Sequence, residues 1–171
     1  MKKYDYDVII LGSGPAGFSC AMQSSKFDKK VLVIEANQEH LGGAWINSGT
    51  VPSKALRETS RIIQRYQNQF PEEAKEKPYT KYLMGDLLSY KDQILESKNK
   101  KVENDLIKNE VDTYRGYGSL VDKHTVEVKD HEGGKKKFTA EYIMLATGSY
   151  NKAPGGFEVD HNIVLDDNSV L

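Results

Sequence analysis

This sequence of 171 residues has a single cysteine, no long apolar run and almost no excess of either charge. Cys20 is the only cysteine, so the chain cannot form a disulfide within itself, and a zinc site built on cysteines is not expected. Lys and Arg number 24 against 25 Asp and Glu, and this balance argues against a nucleic-acid-binding protein. The histidines (His40, His124, His131 and His161) lack metal-ligand spacing, so we expect surface histidines and no metal site.

No segment approaches the roughly 18 apolar residues that a membrane-spanning helix requires. The apolar run near the N-terminus covers only residues 8–11 and follows Asp5 and Asp7, so it is too short and too acidic for a signal peptide. We therefore expect a cytoplasmic protein that does not enter a membrane. A mean hydropathy of −0.62 is low for a self-sufficient domain, which predicts solvated helices, a small core or absent partner domains.

The first 35 residues show the pattern of a strand, a glycine-rich turn, a helix and a second strand. Residues 4–11 end in an apolar run typical of a strand that is buried on both faces of a parallel sheet. Gly-Ser-Gly-Pro-Ala-Gly follows at 12–17, then a short helical pattern, and then an apolar run at 31–34 that ends at Glu35. This order predicts a βαβ unit.

The glycine-rich turn has the features of a dinucleotide-binding site. Gly12 allows a tight turn, Gly14 allows the backbone to approach a pyrophosphate, and Gly17 allows a helix and a strand to pack closely. The start of the following helix offers free N–H groups to phosphates. Glu35 lies 23 residues beyond Gly12, near the spacing of an acid that binds a ribose. The motif does not distinguish FAD from NAD.

Hydrophobic periodicity predicts the remaining elements. A loop at 36–52 precedes two helices, from Ser53 and over about 82–109, which are separated by a proline-containing break at 71–80. We expect these helices to form an antiparallel hairpin over about 53–110. Short strands are predicted at 117–121, 125–129 and 136–139, as a small three-stranded antiparallel sheet, and a buried strand at 141–146; the tail 151–171 is predicted to be loop. The predicted fold class is a Rossmann-like α/β domain with a parallel sheet.

Three further segments resemble the pyridine nucleotide–disulfide oxidoreductase family. Residues 42–54, GGAWINSGTVPSK, resemble the family's redox segment GGxCxxxxCxPSK, which lies across the flavin. Ala-Thr-Gly-Ser at 146–149 resembles the strand end that touches FAD, and Gly-Tyr-Gly at 116–118 resembles a stretch near the adenine. The order and spacing of these segments extend the resemblance over essentially the whole chain.

The resemblance implies an FAD-binding domain and a set of contact residues. The implied cofactor-binding residues are Gly12, Gly14, Pro15, Ala16, Gly17, Glu35, Ala36, Gly42, Gly43, Ala44, Trp45, Gly49, Thr50, Lys54, Gly118, Ala146, Thr147 and Gly148. Lys54 has the position of the family's lysine at the reactive edge of the flavin, where a cation would favour reduced flavin.

The positions of the two redox cysteines differ from the family pattern. They are occupied by Trp45 and Thr50, so the dithiol relay that needs two sulfurs in contact cannot form there. Within the family, residues 49–57 are most similar to soluble Si-specific pyridine nucleotide transhydrogenases, which also have threonine at the second position but usually keep the first cysteine. Trp45 is expected to fill space, and Cys20 to be a small core thiol.

The resemblance also predicts what the chain does not contain. We expect an N-terminal fragment, 1–171, of an FAD-binding domain, without the NAD(P)-binding domain and the dimerisation domain of a homodimeric parent. That parent would pass hydride between NADPH and NAD⁺ through FAD, and the fragment alone would be inactive. Three alternatives remain: a non-catalytic FAD-binding module, a dihydrolipoamide dehydrogenase-like oxidoreductase without redox cysteines, and an NAD-dependent Rossmann domain, against which the segment at 42–54 argues.

Overall fold

The computed structural model describes residues 3–71, 79–150, 152 and 159–166, with the backbone alone at 79–84. The chain divides into two compact units, residues 1–45 with 99–152 and residues 46–98 with 153–171. The elements in chain order are β1 Tyr6–Leu11, α1 Pro15–Ser25, β2 Val31–Glu35, α2 Ala44–Asn47, α3 Thr50–Gln69, α4 Tyr79–Lys108, β3 Asp112–Arg115, β4 Tyr117–Leu120, β5 Thr125–Lys129 and β6 Lys135–Leu145. The mixed α/β fold predicted from the sequence is confirmed.

The strands form one six-stranded sheet in the order β3-β2-β1-β6-β5-β4. β1 pairs in parallel with β2 and with the second half of β6, and β2 pairs in parallel with β3. The first half of β6 instead pairs antiparallel with β5, which pairs antiparallel with β4. The chain reverses between β5 and β6 at Gly133, where φ is +93°, as the Gly-Gly pair predicts.

A single strand replaces two predicted ones. The sequence separates 136–139 from 141–146, whereas β6 runs without interruption and belongs to both the parallel and the antiparallel part. Ala140 is fully buried within it, and its N–H donates to the carbonyl of His124 at 2.9 Å. The antiparallel strands are therefore a continuation of the parallel sheet and not a separate small sheet.

Alternate side chains of the central strands form the core. On one face, apolar residues of β1 and β2 meet apolar residues of the antiparallel strands: Ile9, Leu11, Leu32, Ile34, Val126, Val128, Phe138 and Ala140. On the other face, Ala21 of α1 is fully buried and a Cβ on Gly17 would lie 3.2 Å from Ile10 Cγ2. Because β1 and β2 are covered on both faces, they read as continuous apolar runs.

Two short elements and the start of one long helix differ from the sequence prediction. β3 is absent from the predicted strands, because Asp-Thr-Tyr-Arg has no apolar run and lies at the edge of the sheet. α2 is a single turn within the predicted loop 36–52. α3 begins at Thr50 rather than Ser53, since Pro52 is compatible with the first turn of a helix, where its missing N–H has no partner to lose.

The two long helices are present, but their apolar side chains are unevenly buried. Leu87, Val102 and Leu106 of α4 are buried, whereas Tyr90 is half exposed and Ile62 of α3 is 64% exposed. Residues 72–78, where the proline-containing break is predicted, lie outside the described residues, so the antiparallel hairpin stays a prediction. The described parts of the tail, 152 and 159–166, carry no helix or strand. No described helix combines the length and apolarity that a bilayer crossing requires.

Candidate dinucleotide-binding site

The turn after β1 requires glycine at its first position. Gly12 has a φ of +100°, and a Cβ there would overlap the carbonyl oxygen of Ala146. The Gly12 N–H donates to the Ile34 carbonyl at 2.8 Å, and the Ala146 N–H donates to the Leu11 carbonyl at 2.8 Å. The structure thus brings the glycine-rich turn and the Ala-Thr-Gly-Ser element together, with Thr147 and Gly148 exposed beside it.

Gly17 and Gly14 are glycines for different reasons. A Cβ on Gly17 would overlap the carbonyl oxygen of Gly12, so close packing of the helix on the turn demands glycine. Gly14 has a φ of −62°, which any residue can adopt, and a Cβ there would meet no described atom within 4 Å. Neither the fold nor the backbone conformation requires glycine at this position. Space of this kind is what a bound pyrophosphate would need.

The N-terminus of α1 presents donors next to Gly14. Pro15 is the first helical residue, and the first intrahelical bond runs from the Phe18 N–H to the Gly14 carbonyl at 2.8 Å. The amides of Ala16 and Gly17 precede that bond, so the helix does not use them internally. The first turn contains no acidic residue that would offset the helix dipole. This end of α1 therefore favours an anion.

Glu35 ends β2 within hydrogen-bonding distance of the glycine-rich turn. Its Oε2 accepts hydrogen bonds from the Ser13 N–H at 2.8 Å and from the Ser13 hydroxyl at 2.5 Å. Its Oε1 accepts one from the Asn37 N–H at 2.9 Å. Since a carboxylate has about four acceptor positions, these bonds leave capacity on Oε1 for one more donor, such as a ribose hydroxyl.

Ser13 connects the acid to the segment that contains Gly42 and Gly43. Ser13 is fully buried, and its hydroxyl accepts a hydrogen bond from the Gly42 N–H at 2.9 Å. Gly43 has a φ of +65°, and a Cβ there would lie 2.8 Å from the Gly14 Cα. The start of the redox-like segment therefore packs directly against the turn. Sequence reasoning passed over Ser13 because it occupies a variable position of the motif.

Arg115 is a second residue that sequence reasoning missed. It is the register partner of Glu35 in the parallel pair of β2 and β3. Its Nη1 donates to the carbonyl of Asn37 at 3.1 Å and to the carbonyl of His40 at 3.0 Å. The signal was absent from the sequence because β3 lies about 75 residues away and has no apolar pattern.

The Gly-Tyr-Gly stretch lies at the same end of the sheet. The Gly116 N–H donates to the Glu35 carbonyl at 2.9 Å. A Cβ on Gly118 would lie 2.7 Å from Leu11 Cδ2 and 3.4 Å from Ile34 Cγ2, so this glycine packs over the ends of β1 and β2. Packing within the chain thus accounts for glycine at 118, beside the expected role near the adenine.

The remaining candidate residues lie along the redox-like segment. Ala44 and Trp45 begin α2, and the indole is 38% exposed. Gly49 is the N-cap of α3 in the other compact unit, Thr50 is its first residue, and Lys54 is exposed one turn later. The Ser53 hydroxyl donates to the Gly49 carbonyl at 2.8 Å, a hydrogen bond within the first turn of α3.

The opposite end of the sheet contains polar side chains with shifted pKa values. Burial, reinforced by the hydrogen bond that the Tyr6 hydroxyl donates to Asp112 at 3.0 Å, raises the pKa of Tyr6 to about 12. Hydrogen bonds from the hydroxyl and N–H of Thr139 lower the pKa of Asp5. These groups join β1 to β3 and β6, so they support the sheet. Within the described residues, no group of three or more His, Cys, Asp or Glu side chains is arranged to hold a metal ion.

The chain is similar to known proteins over nearly its full length. The chain is 36% identical over 172 residues to a soluble pyridine nucleotide transhydrogenase of Colwellia psychrerythraea, which covers 99% of this chain and 36% of the relative. A protein of the same name from Pseudomonas entomophila is 33% identical over the whole chain. The chain thus spans about a third of the length of these relatives.

A solved structure shares the fold. The Cu(II) complex of the HOCl-induced flavoprotein disulfide reductase RclA from Escherichia coli superposes with a TM-score of 0.71 over 91% of this chain and 31% of that one. At 22% identity this likeness concerns the fold alone. The sequence model of the pyridine nucleotide-disulphide oxidoreductase family matches residues 6–169, nearly the full length of the chain. The chain therefore belongs to the pyridine nucleotide–disulphide oxidoreductase family, a family of flavoproteins that the sequence motifs had indicated.

Proposed function

We propose that this chain is the N-terminal part of the FAD-binding domain of an oxidoreductase that transfers hydride between NADPH and NAD⁺. The main support for an FAD site is the environment of Gly14. The position that a Cβ on this glycine would occupy is open, and the helix N-terminus and Glu35 lie at the same turn. The names of the relatives support the transhydrogenase activity, and their greater length leaves room for the nicotinamide site outside this chain.

The proposal gives each group of the chain a task. The amides of Ala16 and Gly17 bind the pyrophosphate, and Glu35 accepts a hydrogen bond from the adenosine ribose. Gly43, Thr50, Gly118 and Thr147 line the remainder of the site, as the family resemblance implies. The chemistry that FAD supplies when bound is the acceptance and return of a hydride. Lys54 contributes a positive charge that favours reduced flavin. The resemblance extends the proposal to a cytoplasmic homodimer of the longer protein.

Trp45 and Thr50, at the positions of the family's redox cysteines, support a reaction without a dithiol relay. With Cys20 as its single cysteine, this chain cannot supply the pair of thiols of a dithiol relay. Direct transfer between two nicotinamide nucleotides through the flavin needs no such pair. A non-catalytic FAD-binding module is the second candidate, and the replacement of the first redox cysteine by Trp45 favours it. A dihydrolipoamide dehydrogenase-like enzyme without cysteines is a third.

The experiment measures flavin content and hydride transfer in the full-length protein. We expect a flavin absorption spectrum, and transfer from NADPH to thio-NAD⁺ that depends on the flavin. Glu35→Gln should weaken FAD binding about tenfold, because a hydrogen bond to a charged acceptor is lost, while Glu39→Gln on the exposed loop should not.

Each outcome separates the candidates. Protein that holds flavin but is not reduced by NADPH would support the non-catalytic module. Flavin that NADPH reduces but that does not pass hydride to thio-NAD⁺ would contradict the transhydrogenase activity. Protein that neither contains nor binds FAD would contradict the whole proposal.

A further inference from the structure

The segment between Glu35 and Gly43 is held by hydrogen bonds from three directions. The Asn37 side-chain oxygen accepts the N–H groups of Glu39 at 2.9 Å and His40 at 2.8 Å, which closes a tight turn. The Gly42 N–H donates to the Ser13 hydroxyl, and the Asn37 N–H donates to Glu35 Oε1. The third support is the guanidinium of Arg115, which reaches the carbonyls of Asn37 and His40 from β3.

Arg115 comes from a more distant part of the sequence than the other residues that hold this segment. Ser13, Asn37 and Gly42 all lie within the first 42 residues, whereas Arg115 follows α4 and is brought beside Glu35 only by the pairing of β2 with β3. A guanidinium has five donors in a rigid arrangement, so one side chain can hold two carbonyls at a fixed separation. Both of these carbonyls belong to the turn whose first amide, that of Asn37, is hydrogen-bonded to the acid.

We propose that Arg115 is a positioning residue for the ribose contact of Glu35. It acts through the turn at 37–40: by holding the carbonyls of Asn37 and His40, it fixes the backbone conformation of Asn37, so that the Asn37 N–H stays on Glu35 Oε1 and the remaining acceptor position of this oxygen stays available to the ribose. The inference rests on the proposed function, since it assumes that an adenosine ribose binds there. Preorganisation of this kind increases affinity, because the ordering of the acceptor no longer has to occur on binding.

The test compares the affinity of the full chain for ADP with its affinities for 2′-deoxy-ADP and 3′-deoxy-ADP, measured by calorimetry. The ratio between ADP and the weaker deoxy analogue reports the hydroxyl contact alone. We expect the unmodified chain to prefer ADP about tenfold, as for one hydrogen bond to a carboxylate. In Arg115→Met this preference should fall to about twofold, and Arg115→Lys should restore part of it, since an ammonium can donate to one or both carbonyls.

Two further variants make the result specific. Asn37→Ala loosens the same turn without altering β3, so it should reduce the preference in the same way, and it decides the question if Arg115→Met does not fold. Arg61→Met removes a guanidinium from exposed α3 and should keep the full preference.

The failures can be distinguished. If Arg115→Met and Asn37→Ala both keep the preference for ADP over the deoxy analogues, the positioning role is overturned, even if overall ADP affinity falls. A merely structural effect would weaken the binding of all three nucleotides equally. Equal affinity of the unmodified chain for ADP and both deoxy analogues also overturns it. If the unmodified chain binds neither ADP nor FAD, the proposed function fails and this inference fails with it.

Discussion

The sheet region and α3 differ in how far the described chain buries their apolar side chains. The core residues of β1 and β2, such as Ile9 and Ile34, are at most 5% exposed. Among the twenty residues of α3, only Pro52 is buried, and Ile62 and Tyr66 are exposed, as is Phe70, which follows the helix. Burial of apolar surface is the main favourable term in folding, so we expect the sheet region to contribute more to stability than α3 does.

The two regions also differ in how they hold their candidate functional groups. Glu35 accepts three hydrogen bonds and lies beside a fully buried serine, so its position is fixed before any ligand binds. Lys54 is exposed on a helix surface. The sheet thus preorganises the groups that are proposed to bind the adenylate. The group proposed to stabilise reduced flavin is instead a flexible lysine side chain, whose charge matters more than its exact position.

The largest expected effect on stability comes from a substitution of Gly17, and Gly14 in the same turn serves as the contrast. Gly17→Ala forces a Cβ against the Gly12 carbonyl oxygen, so we expect a loss of about 3 kcal/mol or more in unfolding free energy, measured by urea denaturation. Gly14→Ala has open space and an ordinary φ, so stability should change by less than about 1 kcal/mol while FAD affinity falls about tenfold. Equal destabilisation by both changes would contradict the distinction.

A pair of isoleucines tests the difference in burial directly. Ile34 is 2% exposed and Ile62 is 64% exposed. Ile34→Ala should therefore cost about 3 kcal/mol of unfolding free energy, and Ile62→Ala less than about 0.5 kcal/mol. The same denaturation experiment measures both. A comparable loss for Ile62→Ala would mean that this face of α3 is covered in solution, and the contrast between the regions would then not hold.

Lys54 gives a smaller effect, on the flavin rather than on folding. Lys54→Met removes a positive charge that would stabilise reduced flavin, so the midpoint potential of the full-length flavoprotein should fall by about 30 mV, which is about 1.4 kcal/mol for a two-electron couple. Arg61→Met, on the same helix, should leave the potential unchanged. A potential that is the same in Lys54→Met and the unmodified protein would remove Lys54 from the flavin site.

The smallest expected effect is a pH dependence at the far end of the sheet. Because its pKa in the folded protein is about 12 against an ordinary 10, Tyr6 stabilises the fold fully below pH 10 and loses this contribution as the pH rises towards 12. Tyr6→Phe should lower the unfolding free energy by about 1 kcal/mol at pH 8, and the difference should shrink above pH 10. Tyr117→Phe, at an exposed tyrosine, serves as the control. A difference that stays constant up to pH 12 would contradict the assignment.

Local signals were sufficient for the longer regular elements but not for the short β3 and α2. The apolar runs of β1 and β2, the glycines between them and the helical periods of α3 and α4 all depend on residues close in sequence, so their types were predicted correctly. Boundaries were less accurate: α3 begins three residues earlier than predicted, and β6 joins two predicted strands. The first error arises at Pro52, which the first turn of a helix tolerates, and the second at Ala140, a small residue across which the strand continues.

The sequence by itself determined the α/β class, the glycine-rich turn, the acid at 35 and the family resemblance. Each of these depends on consecutive residues or on fixed spacings between residues. Only the tertiary structure showed that β6 belongs to both parts of the sheet, that Ser13 joins Glu35 to Gly42, and that Arg115 lies opposite Glu35. These contacts join segments that are from 22 to 134 residues apart, and strand pairing, which no local pattern encodes, decides which of them meet.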